Sequence, residues 1–156
     1  MTIAAILGID VTSQSTTPEF VPGSLGAVTD STGTKIYKYL KYDDGTAAVD
    51  GVAGEVAYYY TLDGYKNHVC SSDLSDSVEI GAGVIQANIA TETYGWFQIK
   101  GAATLTIALT AGADGDPLTP TGSADGTLDV SSAATDNVCA IAGDISDKEI
   151  ICDFVM

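Results

Sequence analysis

Residues 35–45 read Lys-Ile-Tyr-Lys-Tyr-Leu-Lys-Tyr-Asp-Asp-Gly, and this stretch decides the fold class. In an extended strand, side chains two apart share a face. That sets Ile36, Lys38, Leu40 and Tyr42 on one side and Lys35, Tyr37, Tyr39 and Lys41 on the other. Tyrosines on both sides predict partial burial of each face, because the ring is apolar and only its hydroxyl needs water or a partner. Asp43, Asp44 and Gly45 follow as a turn, since Asp and Gly tolerate positive φ.

The same signature repeats along the chain. Strands are predicted over 55–62 (EVAYYYTL), 65–70 (YKNHVC), 84–90 (VIQANIA), 94–100 (YGWFQIK), 104–110 (TLTIALT), 126–130 (GTLDV), 137–142 (NVCAIA) and 149–155 (EIICDFV). Leu62-Asp63-Gly64-Tyr65 reads as a hairpin corner with an Asp-Gly turn. One short helix is predicted near 73–79 (DLSDSVE), and no stretch reads as a long amphipathic helix. Seventeen glycines, with many Thr, Ser and Asp residues, punctuate these runs as they do in sandwiches and barrels. The expected fold is therefore all-β: a single small β-barrel or β-sandwich domain.

A length of 156 residues suits one domain with a real core. A hydrophobic fraction of 46% is far from the composition of a disordered chain. Acid dominates, with 21 Asp and Glu against 6 basic residues and a formal charge of -15. All six basic residues are lysines. Neutralising phosphates is the main source of nucleic-acid affinity, and arginine is its usual bidentate reader, so the charge and the lack of arginine argue against nucleic acid as a partner. An anionic membrane surface is disfavoured on the same ground.

The first nine residues are apolar but lack the basic start and cleavage pattern of a signal peptide, and are too short to span a bilayer. A soluble protein is expected. Cys70, Cys139 and Cys152 are odd in number, have no C-x-x-C spacing and sit in apolar segments. They are expected as buried reduced thiols, the alternative being a disulfide between two of them. Residues 12–26 (TSQSTTPEFVPGSLG) are polar, carry Pro18 and Pro22 and have no periodicity, the composition of an extended arm. Residues 1–26 are thus expected as an arm or linker and 27–156 as the β domain. The apolar tip of the arm has two readings: a first strand of the same barrel, or a strand added to another chain's sheet.

Few residues suggest chemistry. The single histidine, His68, and Cys70 share a strand face, but a reactive thiolate needs a basic setting, and Lys66 is the one nearby cation. No zinc spacing exists. Asp114, Asp116, Asp125 and Asp129 lie in glycine-rich loops that suit a hard cation, without the spacing of an EF-hand or a GGxGxD repeat. Gly81-Ala82-Gly83 starts like a phosphate loop but has Gln at 86, and reads better as a turn before a strand. No enzyme, metal or cofactor is expected. Trp96, between Gly95 and Phe97, reads as a structural anchor, with Gly95 allowing another backbone to approach.

The ordered features FVPGSLG at 20–26, DSTGT at 30–34, the aromatic strand at 35–42, GAGV at 81–84 and above all YGWFQIKGAA at 94–103 resemble the head decoration (capsid cement) proteins of tailed bacteriophages. The resemblance spans residues 20–156, and the YGW block is its specific part. The run Tyr58-Tyr59-Tyr60 and His68 depart from that pattern. The resemblance implies a non-enzymatic virion protein, made in the host cytoplasm, on the outer capsid surface. It also implies the major capsid protein as partner and self-association as a homotrimer. The resemblance does not say which residues touch the shell, and the candidates come from the residues themselves: Ile3, Ile6, Leu7, Phe20 and Val21 of the arm are expected to bind the capsid. The tyrosine stripe reads either as the wall of a barrel or as a contact surface, and on the second reading Lys35, Tyr37, Tyr39, Lys41 and Tyr59 form a subunit or capsid interface. The turn carboxylates read as a solvated outer coat. The alternative is a surface or tail-associated β-sandwich that binds carbohydrate or calcium through its acidic loops.

Overall fold

The computed structural model describes residues 6–61 and 64–156, with backbone alone for Ile6 and Leu7. The strands are β1 (Ile6–Leu7), β2 (Leu25–Asp30), β3 (Gly33–Tyr42), β4 (Val56–Tyr60), β5 (Val69–Ser71), β6 (Ser77–Ile85), β7 (Thr93–Thr104), β8 (Pro117–Thr119), β9 (Asp129–Val130), β10 (Ala140–Asp144) and β11 (Glu149–Asp153). No α-helix occurs among the described residues, and none is long and apolar enough to cross a membrane. The protein is all-β, with a closed five-stranded barrel and additional strands.

Closure follows from β3, which has neighbours on both edges. One edge pairs antiparallel with β7, Tyr39 opposite Trp96; the other pairs with β2 along its first half and parallel with β5 at its end. The barrel order is β3–β5–β4–β6–β7 and back to β3. All five strands contribute to one apolar cluster: Leu40 and Tyr42, Ala57 and Tyr59, Cys70, Ala82 and Ile85, and Phe97. This is the barrel interior. At its far end β7 leaves the barrel, helped by a bulge at Ile36/Tyr37 and by Gly101 at φ 94°, and pairs with β11. From there β11, β10, β8 and β9 continue the sheet. Their inner face, with Leu118, Ala140, Ala142, Ile150 and Cys152, closes over Tyr58, Val84 and Ile99 in a second core.

Several expectations shift. The runs 94–100 and 104–110 prove to hold one strand, β7, ending at Thr104. The helix expected near 73–79 is a three-residue 3-10 turn, Leu74–Asp76, capped by the Asp73 carboxylate. Strand β6 begins directly after it, so Gly81-Ala82-Gly83 lies inside a strand rather than in a turn before one. Glycine at 81 answers to close packing within the strand: a Cβ there would sit 2.6 Å from the Phe154 ring and 2.9 Å from Cys139 Sγ. Leu62 and Asp63 of the expected hairpin corner lie outside the described residues. The expected boundary after residue 26 falls within a strand, since Leu25 and Gly26 belong to β2.

Candidate interaction surfaces

The outer face of β3 and β7 carries Tyr37, Tyr39 and Trp96, and the N-terminal segment covers it. Ile9, Val11 and Phe20 pack on these three rings, together with Val28 and Tyr94. Phe20 meets Tyr39 edge-on at 5.3 Å and Trp96 at 5.2 Å between ring centroids, and Tyr39 lies 5.1 Å from Trp96. These are the separations at which aromatic pairs attract. The backbone is tied down as well. Gly23 N–H donates to Tyr39 O, Tyr39 N–H donates to Ser24 O, and Ser15 exchanges hydrogen bonds with Tyr94. Strand β1 runs parallel to β2, Ile6 opposite Gly26.

These contacts correct the proposed interface. Tyr37, Tyr39 and Tyr59 are all buried, the first two under the N-terminal segment and Tyr59 inside the barrel, so none is presented to a partner. Trp96 is buried as an anchor should be. At Gly95 the close neighbour is the Ile89 side chain, 3.0 Å from where a Cβ would be, and Ser13 O is at 3.8 Å. The arm is likewise not free over its described length: Phe20 is packed inward, while Val21 is 77% exposed. Strand β1 pairs with β2 of its own chain, at the edge of the sheet and outside the five barrel strands. Ile3 lies outside the described residues, and only backbone is described for Ile6 and Leu7.

Lys35 and Lys41 are partly exposed, and each is committed within the chain. Lys35 lies 3.1 Å from Asp30 and Lys41 lies 2.6 Å from Glu92. The Asp30 carboxylate is held down to about 2, chiefly by hydrogen bonds from Thr32 and then by Lys35. Glu92 holds the Lys41 ammonium above its ordinary value. Lys38, expected with Lys35 and Lys41 on a basic strand facing a partner, instead points into the barrel. It is buried, donates to the Tyr59 hydroxyl at 2.7 Å and lies 4.9 Å from that ring's centroid. Burial pulls its ammonium below the usual lysine value.

The residues considered for chemistry separate. Cys70 is fully buried with its thiol toward Lys41 O at 3.4 Å, and burial pushes it well above the ordinary thiol value; His68 is exposed. All three cysteines are free and buried, as expected for reduced thiols. Asp114 accepts from Ile145 N–H, Asp116 from Ala113 N–H, Asp125 from Leu74 N–H and Asp129 from Val130 N–H. Each carboxylate thus braces a turn. No group of three or more His, Cys, Asp and Glu is placed to hold a metal among the described residues.

One surface was not foreseen. Register aligns Ala102 of β7 with Ile151 of β11, Ile151 with Ile141 of β10, and Ile141 with Pro117 of β8. This row crosses four strands on the face opposite the second core. Ile141 is 47% exposed and Ile151 48%. Glu149 and Asp153 mark the outer parity of EIICDFV, but NVCAIA carries apolar residues at both parities, and only strand pairing sets Ile151 against Ile141. Compared with known proteins, the chain matches no family model, no curated protein and no solved structure.

Proposed function

We propose that the chain is a structural virion protein that binds the outer surface of a tailed-phage capsid and stabilises it. The reading rests on the YGWFQIKGAA block at 94–103, the specific part of its resemblance to head decoration proteins. That block lies in β7, the strand shared by the barrel, the aromatic cluster under the N-terminal segment and the C-terminal sheet. Changing it would disturb all three parts of the fold at once.

The physical character of the molecule suits the role. A closed barrel has no open edge within it to recruit stray strands. Carboxylates concentrated in turns give a charge of -15, which keeps particles apart by like-charge repulsion. The partner in this reading is the major capsid protein, with sister subunits completing a homotrimer. Of the two expected capsid-binding arm residues described with side chains, Phe20 is packed inward and Val21 is exposed, so Val21 is available to the capsid alongside the body of the domain, with neither nucleic acid nor membrane involved.

The test is co-sedimentation of the purified protein with expanded capsids, followed by heating of the loaded particles. Binding in regular occupancy and a raised temperature of capsid disruption are expected. Absence of binding at micromolar protein overturns the proposal. Light scattering of the free and bound forms reads the oligomer.

A further inference from the structure

We propose that the polar hollow where β7 parts from β3 and β6 is a binding site for one unit of a neutral saccharide. This site is independent of capsid binding: the ligand is different and so is the place. Strand β7 pairs with β3 as far as Lys100, opposite Ile36, and with β6 at Gln98, opposite Val84, then continues along β11. The fork leaves a hollow of about 220 Å³, whose lining includes Lys35, Gln86, Gln98, Ala103 and Thr104. A second hollow of about 320 Å³ shares Lys35, Ala103 and Thr104 with it and reaches Thr32 and Glu149. Junctions between parts of a fold are preferred places for small-ligand sites. The first hollow has room for about seven waters at ~30 Å³ each, which is the bulk of one sugar ring.

Its unused polar groups select the ligand. Gln98 is 3% exposed, and its amide nitrogen donates to Lys100 O at 3.3 Å and to Ala102 O at 2.9 Å. Both partners are carbonyls, so they fix the nitrogen on their side and leave Oε1 on the other. That oxygen accepts from no donor among the described residues. Nor is it sealed in, because the fully enclosed side-chain atoms without a partner, among the described residues, are Ser72 Oγ and Asn137 Oδ1. The hollow that Gln98 lines is the space left for it. Gln86 repeats the pattern, its nitrogen donating to Val84 O at 2.8 Å and its oxygen unused. The Thr104 hydroxyl is unused as well. Polar groups so placed call for a partner that donates to the two amide oxygens.

Lys35 adds the opposite requirement. Its ammonium carries three donors, and Asp30 at 3.1 Å takes one of them. A sugar hydroxyl both donates and accepts, so a ring bearing several of them serves the amide oxygens and the ammonium together. A cation would meet Lys35, which lines both hollows, and an anion would meet two amide oxygens on a chain of charge -15. No carboxylate lines the first hollow, and Asp30 already neutralises Lys35, so a neutral ligand fits best.

The experiment titrates the intact isotope-labelled protein with methyl glucoside, methyl galactoside and N-acetylglucosamine, each to tens of millimolar, and follows the amide NMR signals. Sodium phosphate and methylammonium chloride serve as the charged comparisons. The variant is Gln86→Leu with Thr104→Val, checked first for wild-type melting. Saturable shifts with at least one sugar are expected, centred on residues 35, 84–86, 98 and 102–104, with at least fivefold weaker binding by the variant. Absence of saturable shifts with all three sugars overturns the site. Equal binding by the variant, or shifts scattered over the surface, overturns it as well. Tighter binding of phosphate or methylammonium at these residues overturns the neutral-saccharide assignment. Capsid co-sedimentation does not enter the result, so this proposal and the proposed function can each fail alone.

Discussion

The Lys38 ammonium donates to the Tyr59 hydroxyl at 2.7 Å inside the barrel, and the Tyr59 hydroxyl in turn donates to Val155 O at 3.3 Å. None of the ion pairs among the described residues includes Lys38. A buried charge held by neutral partners opposes folding, since desolvation outweighs one hydrogen bond. Lys38→Met, similar in volume, is expected to leave stability unchanged or raise it by about 1–4 kcal/mol. Tyr59→Phe, which strands the ammonium, is expected to cost about 1–3 kcal/mol. Urea unfolding of the two variants checks both signs; a large loss in Lys38→Met would mean that the ammonium is well satisfied.

Alkaline pH is expected to unfold the protein. Burial raises Cys152 to about 12 and Tyr42 to about 12, and raises Cys70, Cys139, Tyr58 and Tyr59 as well. In the unfolded chain thiols and phenols ionise at about 8.5 and about 10. A group with a raised folded value keeps its full contribution below the unfolded value and loses it as pH rises toward the folded one. Stability should therefore decline from about pH 9 and steeply by pH 11. Lys38, with a lowered value, pushes the other way, but it is one group against six. Urea midpoints measured at steps from pH 7 to 11 read the slope. A flat profile would mean that these groups ionise without opening the core.

Removing residues 1–17 is expected to destabilise the domain, because Ile9 and Val11 cover Trp96 and Ser15 bonds to Tyr94. Trp96 is the only tryptophan, so its fluorescence reports on this cover directly. The truncated chain should show red-shifted emission and a lower melting temperature. Phe20→Ala, which empties one place in the cluster, is expected to cost about 1–3 kcal/mol, below the figure for a fully buried ring. Unchanged emission in the truncated chain would show that the segment does not cover the ring in solution.

Gly81→Ala is expected to cost about 1–3 kcal/mol by overpacking, since its Cβ meets the Phe154 ring at 2.6 Å and Cys139 Sγ at 2.9 Å. Combining it with Phe154→Leu relieves part of the clash and should recover part of the loss. Additive losses in the double variant would place the strain elsewhere.

Excess calcium is expected to leave the melting temperature unchanged, because Asp114, Asp116, Asp125 and Asp129 are each engaged by a backbone N–H. A calorimetric titration with heat of binding and a raised melting point would restore the acidic-loop reading.

The all-β class was legible in residues 35–45 and in their repeats along the chain, because strand alternation and Asp-Gly turns are local properties. Burial of Trp96 was legible too, from its place between Gly95 and Phe97 in an apolar strand. Alternation yields two faces for β3 but carries no sign of which one is inside. Tyr37 and Tyr39 became core only because Ile9, Val11 and Phe20, distant in sequence, fold over them. Lys38 went to the interior because it shares parity with Leu40 and Tyr42, whose burial against strands β4 to β7 outweighs the desolvation of one ammonium. The Ile141–Ile151 row arose from the pairing of β10 with β11, which no local pattern encodes. Long-range pairing chose the inner face of every strand, and that choice determined which residues remain for a partner.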